Sequence, residues 1–316
     1  MAPRPTLAKV AHLAGVSKTT AANVLHGRGK TTEETRQRVI AAAESINYRL
    51  NAAASGLSRG RSDVVGVLVS DYVPGFVMSG LSAVFVQRCS QEGLVVSFAS
   101  EDQVQRLIDS GIDILVVVGQ PAHMEDIRLP FGLPVVSLET IAGQPAWASH
   151  DPAAIAAVVV EHVVSQGGTT LGWLLGPGLD EMFGPWTDAL GAAAAHAGIG
   201  FANRRHDLTR ESVTQALEEL LASDVDSILC AMSWSPDIVE CLSELGKSTP
   251  EDVLLIVQSE GTVESAMTPK VSTLSLMTIE SGNLIAQMCI DTIAGSKPEK
   301  LELPFRLEPR ASSQRR

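Results

Sequence analysis

Two short apolar stripes separated by one glycine near the amino terminus constrain this 316-residue chain more than any other feature. Thr6 precedes Leu7, Val10, Ala11 and Ala14, the i, i+3, i+4, i+7 spacing of a helix with a single buried stripe and a Thr N-cap. Gly15 stops that helix, Val16 supplies one apolar anchor, and Ser17 caps a second helix from Lys18 to about Leu25, with Ala21, Val24 and Leu25 facing inward. Two short helices around one glycine turn form a helix-turn-helix. That motif offers the start of its second helix to the DNA major groove. Here the start carries Ser17, Lys18, Thr19 and Thr20, with Ala22 and Asn23 a turn further on, all of them small, cationic or hydrogen-bonding.

The charge distribution points the same way. The chain carries a net charge of -12, which taken alone argues against a nucleic-acid binder. Residues 1–62, however, hold ten Lys or Arg against Glu33, Glu34 and Glu44, a surplus of +7, and the remainder carries -19. A basic head on an acidic body confines phosphate attraction to the head. A third helix is expected after the turn His26–Lys30, opened by Thr31 with Glu34 as a capping box and lined by Val39, Ile40, Ala43 and Ile46. Asn47 to Ser62 mixes alanines, Leu57 and three arginines, a linker with helix propensity from Asn51 to Leu57 that Gly56 weakens.

From Val64 the pattern changes to short apolar runs separated by helical stretches. Val64–Val69, Leu94–Phe98, Ile114–Val118 and Val135–Leu138 read as parallel strands buried on both faces. The alternation resumes with Leu171–Leu175, Ser227–Ala231, Val253–Val257 and Val271–Leu274, so two α/β lobes are expected, with a cleft at the carboxyl ends of their strands. The crossover Ala99–Gly111 is near the minimum for a parallel connection and predicts a shortened amino-terminal lobe.

These residues carry a family resemblance. T-L-A-K-V-A-H-L-A-G-V-S-K-T-T-A-A-N-V-L, T-R-Q-R-V at Thr35–Val39, N-Y-R-L-N at Asn47–Asn51, and G-R-S ahead of a V-G-V strand resemble the lactose/galactose-repressor family across essentially the whole chain. The resemblance implies an α-helical helix-turn-helix headpiece (1–48), a hinge helix or linker (49–62) and an α/β, two-lobed, periplasmic-binding-protein-like body with parallel sheets (63–310), followed by a disordered tail (311–316). It also implies a homodimeric repressor that binds double-stranded, pseudo-palindromic operator DNA under control of a small-molecule effector, a sugar or sugar derivative. Carried over position by position, the DNA-contacting residues are Thr6, Ser17, Lys18, Thr19, Thr20, Asn23, Lys30, Thr32, Thr35, Asn51, Ala54 and Leu57. Lys18 and Thr19 occupy the base-selecting positions, and Leu57 matches the hinge leucine that wedges into the minor groove. Ser55 stands where an Arg is common, and Gly56 interrupts the would-be hinge helix. Leu57 also reads as a linker residue packed on the body.

The cleft departs further from the pattern. Its candidate effector contacts are Ser70, Asp71, Asp151, Trp186, Ser233, Trp234, Ser259 and Glu260. The family's Arg in R-x-x-G-F is replaced by Trp186, its Asn-Asp pair by Met232-Ser233, and its G-F-D-D by Val257–Glu260. Losing planar and charged partners predicts either an effector other than an ordinary free sugar or a cleft without small-molecule control. Asp151 also reads as a plain helix-capping acid, and Trp186 and Trp234 as core or interlobe residues.

No zinc spacing, phosphate loop, dinucleotide fingerprint or nucleophile elbow occurs, and His150-Asp151 and Glu161-His162 lack a convergent third partner. No cofactor is called for, and an enzyme of sugar metabolism or an exported small-molecule-binding protein is the alternative class. Scattered Cys89, Cys230, Cys241 and Cys289 and the lack of an apolar leader or membrane span predict a cytoplasmic protein with reduced thiols. Pro304 and Pro309, with no leucine heptads beside them, argue against a tetramer-forming coiled coil.

Overall fold

A computed structural model describes residues 5–25, 31–46, 48, 61–70, 75–119, 121, 123–138, 148–176, 180–231, 235–276 and 278–315, with the side chains of 75–82 and 180–183 excepted. Two compact units result, 1–62 and 63–316. Among the described residues no helix is long and apolar enough to cross a membrane.

The amino-terminal unit contains α1 (Leu7–Ala14), α2 (Lys18–Leu25) and α3 (Glu33–Ser45). Thr6 caps α1 by accepting from the Lys9 amide, and Gly15 closes it in the left-handed conformation at φ 64°, where a side chain would be strained. Val10, Ala11, Ala14, Ala21, Val24, Val39, Ala42 and Ala43 form one small core. Two expectations need correction at α3. Its cap is Thr32, whose hydroxyl accepts from the Thr35 amide, so the Thr31–Glu34 box is not what opens the helix. Ile40 is 40% exposed, because a 100° step per residue puts Ala42, not Ile40, beside Val39 and Ala43 on the inner face.

The body is built on two six-stranded sheets. The first comprises β1 (Val64–Val69), β2 (Val95–Ala99), β3 (Ile114–Val118), β4 (Val135–Leu138), β5 (Ala148–Ser149) and β11 (Leu301–Glu302), in the order β11-β5-β4-β3-β1-β2, all parallel. The second comprises β6 (Thr170–Leu175), β7 (Gly200–Arg205), β8 (Ser227–Cys230), β9 (Leu254–Gln258), β10 (Ser272–Ser275) and β12 (Arg306–Glu308), in the order β12-β10-β9-β8-β6-β7, with only β12 antiparallel. The expected strands are present within one residue at each end, but β2, read as buried on both faces, is an edge strand with Val95 61% and Phe98 42% exposed. The edge strands β7 and β12 and the short β5 and β11 escaped sequence reading, since their amphipathic or two- to three-residue segments lack an apolar run.

The helices of the body are α4 (Gly75–Gln91), α5 (Val104–Asp109), α6 (Pro152–Ser165), α7 (Asp180–Ala197), α8 (Arg210–Leu221), α9 (Ser235–Glu244) and α10 (Ile279–Ile293). The predicted short crossover appears as α5, a helix of six residues. Phe85 and Cys89 of α4 pack with Ile285, Ala286 and Cys289 of α10 over the first sheet, so the chain returns to that lobe after building the second. It crosses between lobes three times, at 149–152, 275–279 and 303–306.

The tail expected to be disordered at 311–316 is instead ordered through residue 315. Ser312 and Ser313 are buried: Ser312 Oγ donates to the Leu255 carbonyl at 2.6 Å and accepts from the Ser272 amide at 2.9 Å, and Ser313 Oγ bonds Ser272 Oγ at 2.7 Å. Arg310 anchors this segment by donating to the Val271 carbonyl at 2.7 Å and Thr273 Oγ1 at 3.0 Å while pairing with Glu308 at 2.9 Å. The serine hydroxyls of this segment are satisfied by partners in the second lobe, which orders it. All four cysteines are unpaired and buried, and burial pushes the Cys89 thiol up to about 11.

Candidate nucleic-acid interface and interlobe cleft

Local chemistry organises the head. Ser17 Oγ accepts from the Thr20 amide at 3.0 Å and bonds the Thr20 hydroxyl at 2.8 Å, fixing the first turn of α2. With Ala21 and Val24 holding α2 against the core, Ser17, Lys18, Thr19 and Asn23 are exposed and Thr20 is half-buried. Thr6 and Thr32 are exposed at the amino ends of their helices, and Thr35 lies one turn into α3, its hydroxyl accepting from Thr32 Oγ1 at 2.9 Å. Hydroxyls and backbone N–H groups at helix starts are suited to phosphate oxygens, while an exposed lysine at the start of α2 is suited to a guanine edge. Lys30, Asn51, Ala54 and Leu57 lie outside the described residues.

In the body, the carboxyl ends of the two sheets meet at the crossings. His150, directly after β5, donates from Nε2 to the carbonyl of Leu276, directly after β10, at 2.9 Å. Ser281 Oγ of α10 donates to the same carbonyl at 3.1 Å and lies 3.2 Å from the Pro304 carbonyl, and the Leu303 amide donates to Ser149 at 2.8 Å. Residues at strand carboxyl ends therefore border the space between lobes. Strand order reverses between β1 and β3 in one sheet and between β6 and β8 in the other, the usual positions for a ligand crevice.

Among the candidate effector contacts, Ser70 follows β1 and is 3% exposed, and its hydroxyl has no partner among the described residues. Asp151 is exposed and caps α6, Oδ1 accepting from the Ala153 amide at 2.8 Å. Trp186 is 4% exposed, embedded in the second-lobe core with the His150 ring edge-on at 6.3 Å, so a free stacking platform is corrected to a core contact. Ser259 Oγ donates to Glu264 at 2.8 Å, and Glu260 beside it is half-buried. Asp71, Ser233 and Trp234 lie outside the described residues.

Sequence reading missed two residues here. Glu264 is a buried carboxylate, held by the Ser235 and Ser259 hydroxyls. Gln258, the last residue of β9, is 8% exposed with Oε1 unpartnered among the described residues. The polar end of an otherwise apolar L-L-I-V-Q run was the available signal for Gln258. A separate groove of about 520 Å³ lies between α6 and α7, lined by Val160, Val164 and Ala193 among others. It uses the carboxyl halves of those helices, hence the amino ends of the strands, and is not the cleft. Among the described residues no group of three His, Cys, Asp or Glu side chains is arranged to hold a metal ion.

Residues 6–51 match the model of bacterial regulatory proteins of the lacI family, and residues 160–313 match a periplasmic binding protein-like domain. The chain is 24% identical to the HTH-type transcriptional regulator CelR of Thermobifida fusca over 95% of both chains. It is 29% identical to the maltose regulon regulatory protein MalI of Escherichia coli over 55% of each. Among solved structures, the lac repressor dimer bound to operator and the anti-inducer ONPF superposes with a TM-score of 0.78 at 20% identity, covering 99% of this chain and all of that one. The CelR–cellobiose complex gives 0.69 at 23% identity over 98% of this chain and all of that one. The chain thus joins a helix-turn-helix head that matches the lacI family of bacterial regulatory proteins to a body that matches a periplasmic binding protein-like domain, the arrangement seen in the regulators to which it is similar.

Proposed function

We propose that the protein is a cytoplasmic transcription regulator, acting as a repressor, whose homodimer binds a pseudo-palindromic operator with one recognition helix per half-site. The carrying observation is the start of α2, where Ser17 is fixed as the cap and Lys18 and Thr19 are left exposed. The surplus of +7 in residues 1–62 supplies the phosphate attraction that an acidic body cannot. Thr6, Thr20, Asn23, Lys30, Thr32 and Thr35 complete the groove and phosphate contacts, and Asn51, Ala54 and Leu57 act from the hinge. A small molecule bound between the lobes modulates operator affinity. The lac repressor dimer is bound to operator and an anti-inducer, and CelR to cellobiose, consistent with this division of labour. The relatives are named as regulators, so no catalytic step is assigned.

Footprinting on the chain's own promoter tests the proposal. Intact protein should protect a pseudo-palindrome with an affinity that falls steeply with salt, and protein lacking residues 1–62 should not protect it. Lys18→Ala should relax preference at one base position at a cost of about 1–3 kcal/mol. Uniform weakening on all sequences with a shallower salt slope would reassign Lys18 to phosphate. Firm operator recognition by the headless protein would end the proposal.

A further inference from the structure

The first residue of the body, Asp63, is held from both sides. It opens the unit 63–316 directly after the unit 1–62. Its carbonyl accepts from the Val95 amide at 2.9 Å, and its amide donates to Asp113 Oδ2 at 2.6 Å. Asp113 in turn donates its own amide to the Val64 carbonyl at 2.9 Å. The paired register begins beyond this point, at Val64 with Val95 and at Val65 with Ile114. Asp113 therefore supplies a side-chain acceptor just outside the backbone ladder between β1 and β3. Asp63 itself has φ 57°, in the left-handed region, which an Asp tolerates better than most side chains. The chain turns at this one residue instead of entering β1 in an extended line.

Packing seats the acceptor. Gly111, at φ 90°, turns the chain after α5, and Ile112 lies on β1 in the space a side chain at Gly66 would need, its Cδ1 2.8 Å from where that Cβ would stand. β1 runs between β2 and β3, with Val65, Val67 and Leu68 fully buried. Asp113 is thus tied to the interior of the first sheet, and its bond to the Asp63 amide carries that restraint to the residue from which the linker departs.

We propose that Asp113 is a positioning residue for operator recognition: by holding Asp63 it fixes the direction in which the linker leaves the body, and so sets which half-site spacing a dimer accepts. The proposal rests on the regulator reading and adds to it a residue outside the reading head. A dimer places its two recognition helices about 34–36 Å apart along the duplex. One base pair is about 3.4 Å of that axis, less than the roughly 3.8 Å between consecutive Cα atoms. A single unrestrained residue at each exit is therefore enough to blur the spacing by a base pair.

Two measurements on the full chain test this. Operators carrying one or two base pairs more or fewer between the half-sites of the footprinted pseudo-palindrome read the consequence, and amide exchange at Asp63 reads the restraint without DNA. Wild type should lose affinity by about tenfold or more on the shifted spacings. In Asp113→Ala the natural site should weaken most, leaving natural and shifted sites within about threefold of each other, and the Asp63 amide should exchange about tenfold faster while Val67, in mid-strand, keeps its rate. Asp113→Asn, which retains an acceptor oxygen, should restore both. Asp63→Pro removes the donated N–H from the other side of the bond, should flatten the spacing preference in the same way, and replaces Asp113→Ala if that variant folds poorly. Unchanged exchange at Asp63, a preference as sharp as wild type, uniform weakening at every spacing, no restoration by Asp113→Asn, or a wild type indifferent to spacing would each overturn the proposal. A wild type that footprints no site counts against the regulator reading instead, and exchange at Asp63 still decides whether Asp113 restrains the exit.

Discussion

At Asp226 one carboxylate, just before β8, ties down the start of β6 at the end of the turn that follows α6. Its oxygens accept from the amides of Thr169 and Thr170 and from the hydroxyls of Thr169 and Ser227, at distances between 2.7 and 3.1 Å. Burial pushes its pKa up, but these bonds outweigh burial and hold the carboxyl below the usual range. A folded-state value below the unfolded one stabilises the fold above the unfolded pKa and is lost as pH falls through the folded value. Asp226→Asn should therefore cost on the order of 1 kcal/mol at pH 7, given partial solvent screening. In urea melts the gap between wild type and variant should narrow steadily from pH 5 toward pH 3. A gap independent of pH would mean that the bonds serve shape and not charge.

Among the elements, the carboxyl-terminal turn holds the second lobe together in a way that its composition conceals. Truncation before Arg310 would strip partners from Ser272, the Leu255 carbonyl and His162, whose Nε2 donates to the Ser313 carbonyl at 3.0 Å. Each buried polar group left unpaired costs about 1–3 kcal/mol, so the truncated protein should lose several kcal/mol, read as a lower denaturant midpoint, with unfolding of the second lobe first. The same element marks the limit of what sequence discloses. The α1–α2 turn was legible because a Thr cap, a Gly at the stop and an apolar stripe are local codes, and the central strands because buried parallel strands are continuously apolar. Ser312 and Ser313 have no such code: their hydroxyls are satisfied by strands some forty to sixty residues away in the chain. The cleft was half legible for a related reason. Family position pointed to Ser70, Ser259 and Glu260, but only folding reveals that Trp186 is core, that Glu264 is gripped by two serines, and that Gln258 Oε1 is unpartnered.

Over the whole molecule, a basic reader and an acidic sensor are useful to each other only if the two lobes can change their relation, and the three crossings are where that freedom is set. They are cross-linked at one level: His150 and Ser281 both donate to the Leu276 carbonyl, and the Leu303 amide donates to Ser149. A rotation of one lobe against the other must strain or exchange these bonds, so their number restricts how many arrangements are accessible. His150→Phe separates the bond from the packing. The phenyl ring keeps an edge toward Trp186, and the Leu276 carbonyl retains Ser281 as a donor, so the loss in stability should be about 1 kcal/mol. The local consequence should be larger than the global one. Amide exchange of Leu303 should quicken by tenfold or more while that of Val116 and Leu229, within the two sheets, stays near the wild-type rate. Equal acceleration at all three sites would show global loosening instead, and unchanged exchange at Leu303 would show that His150 does not restrain the crossings; in either case the interlobe motion must be governed elsewhere in the body.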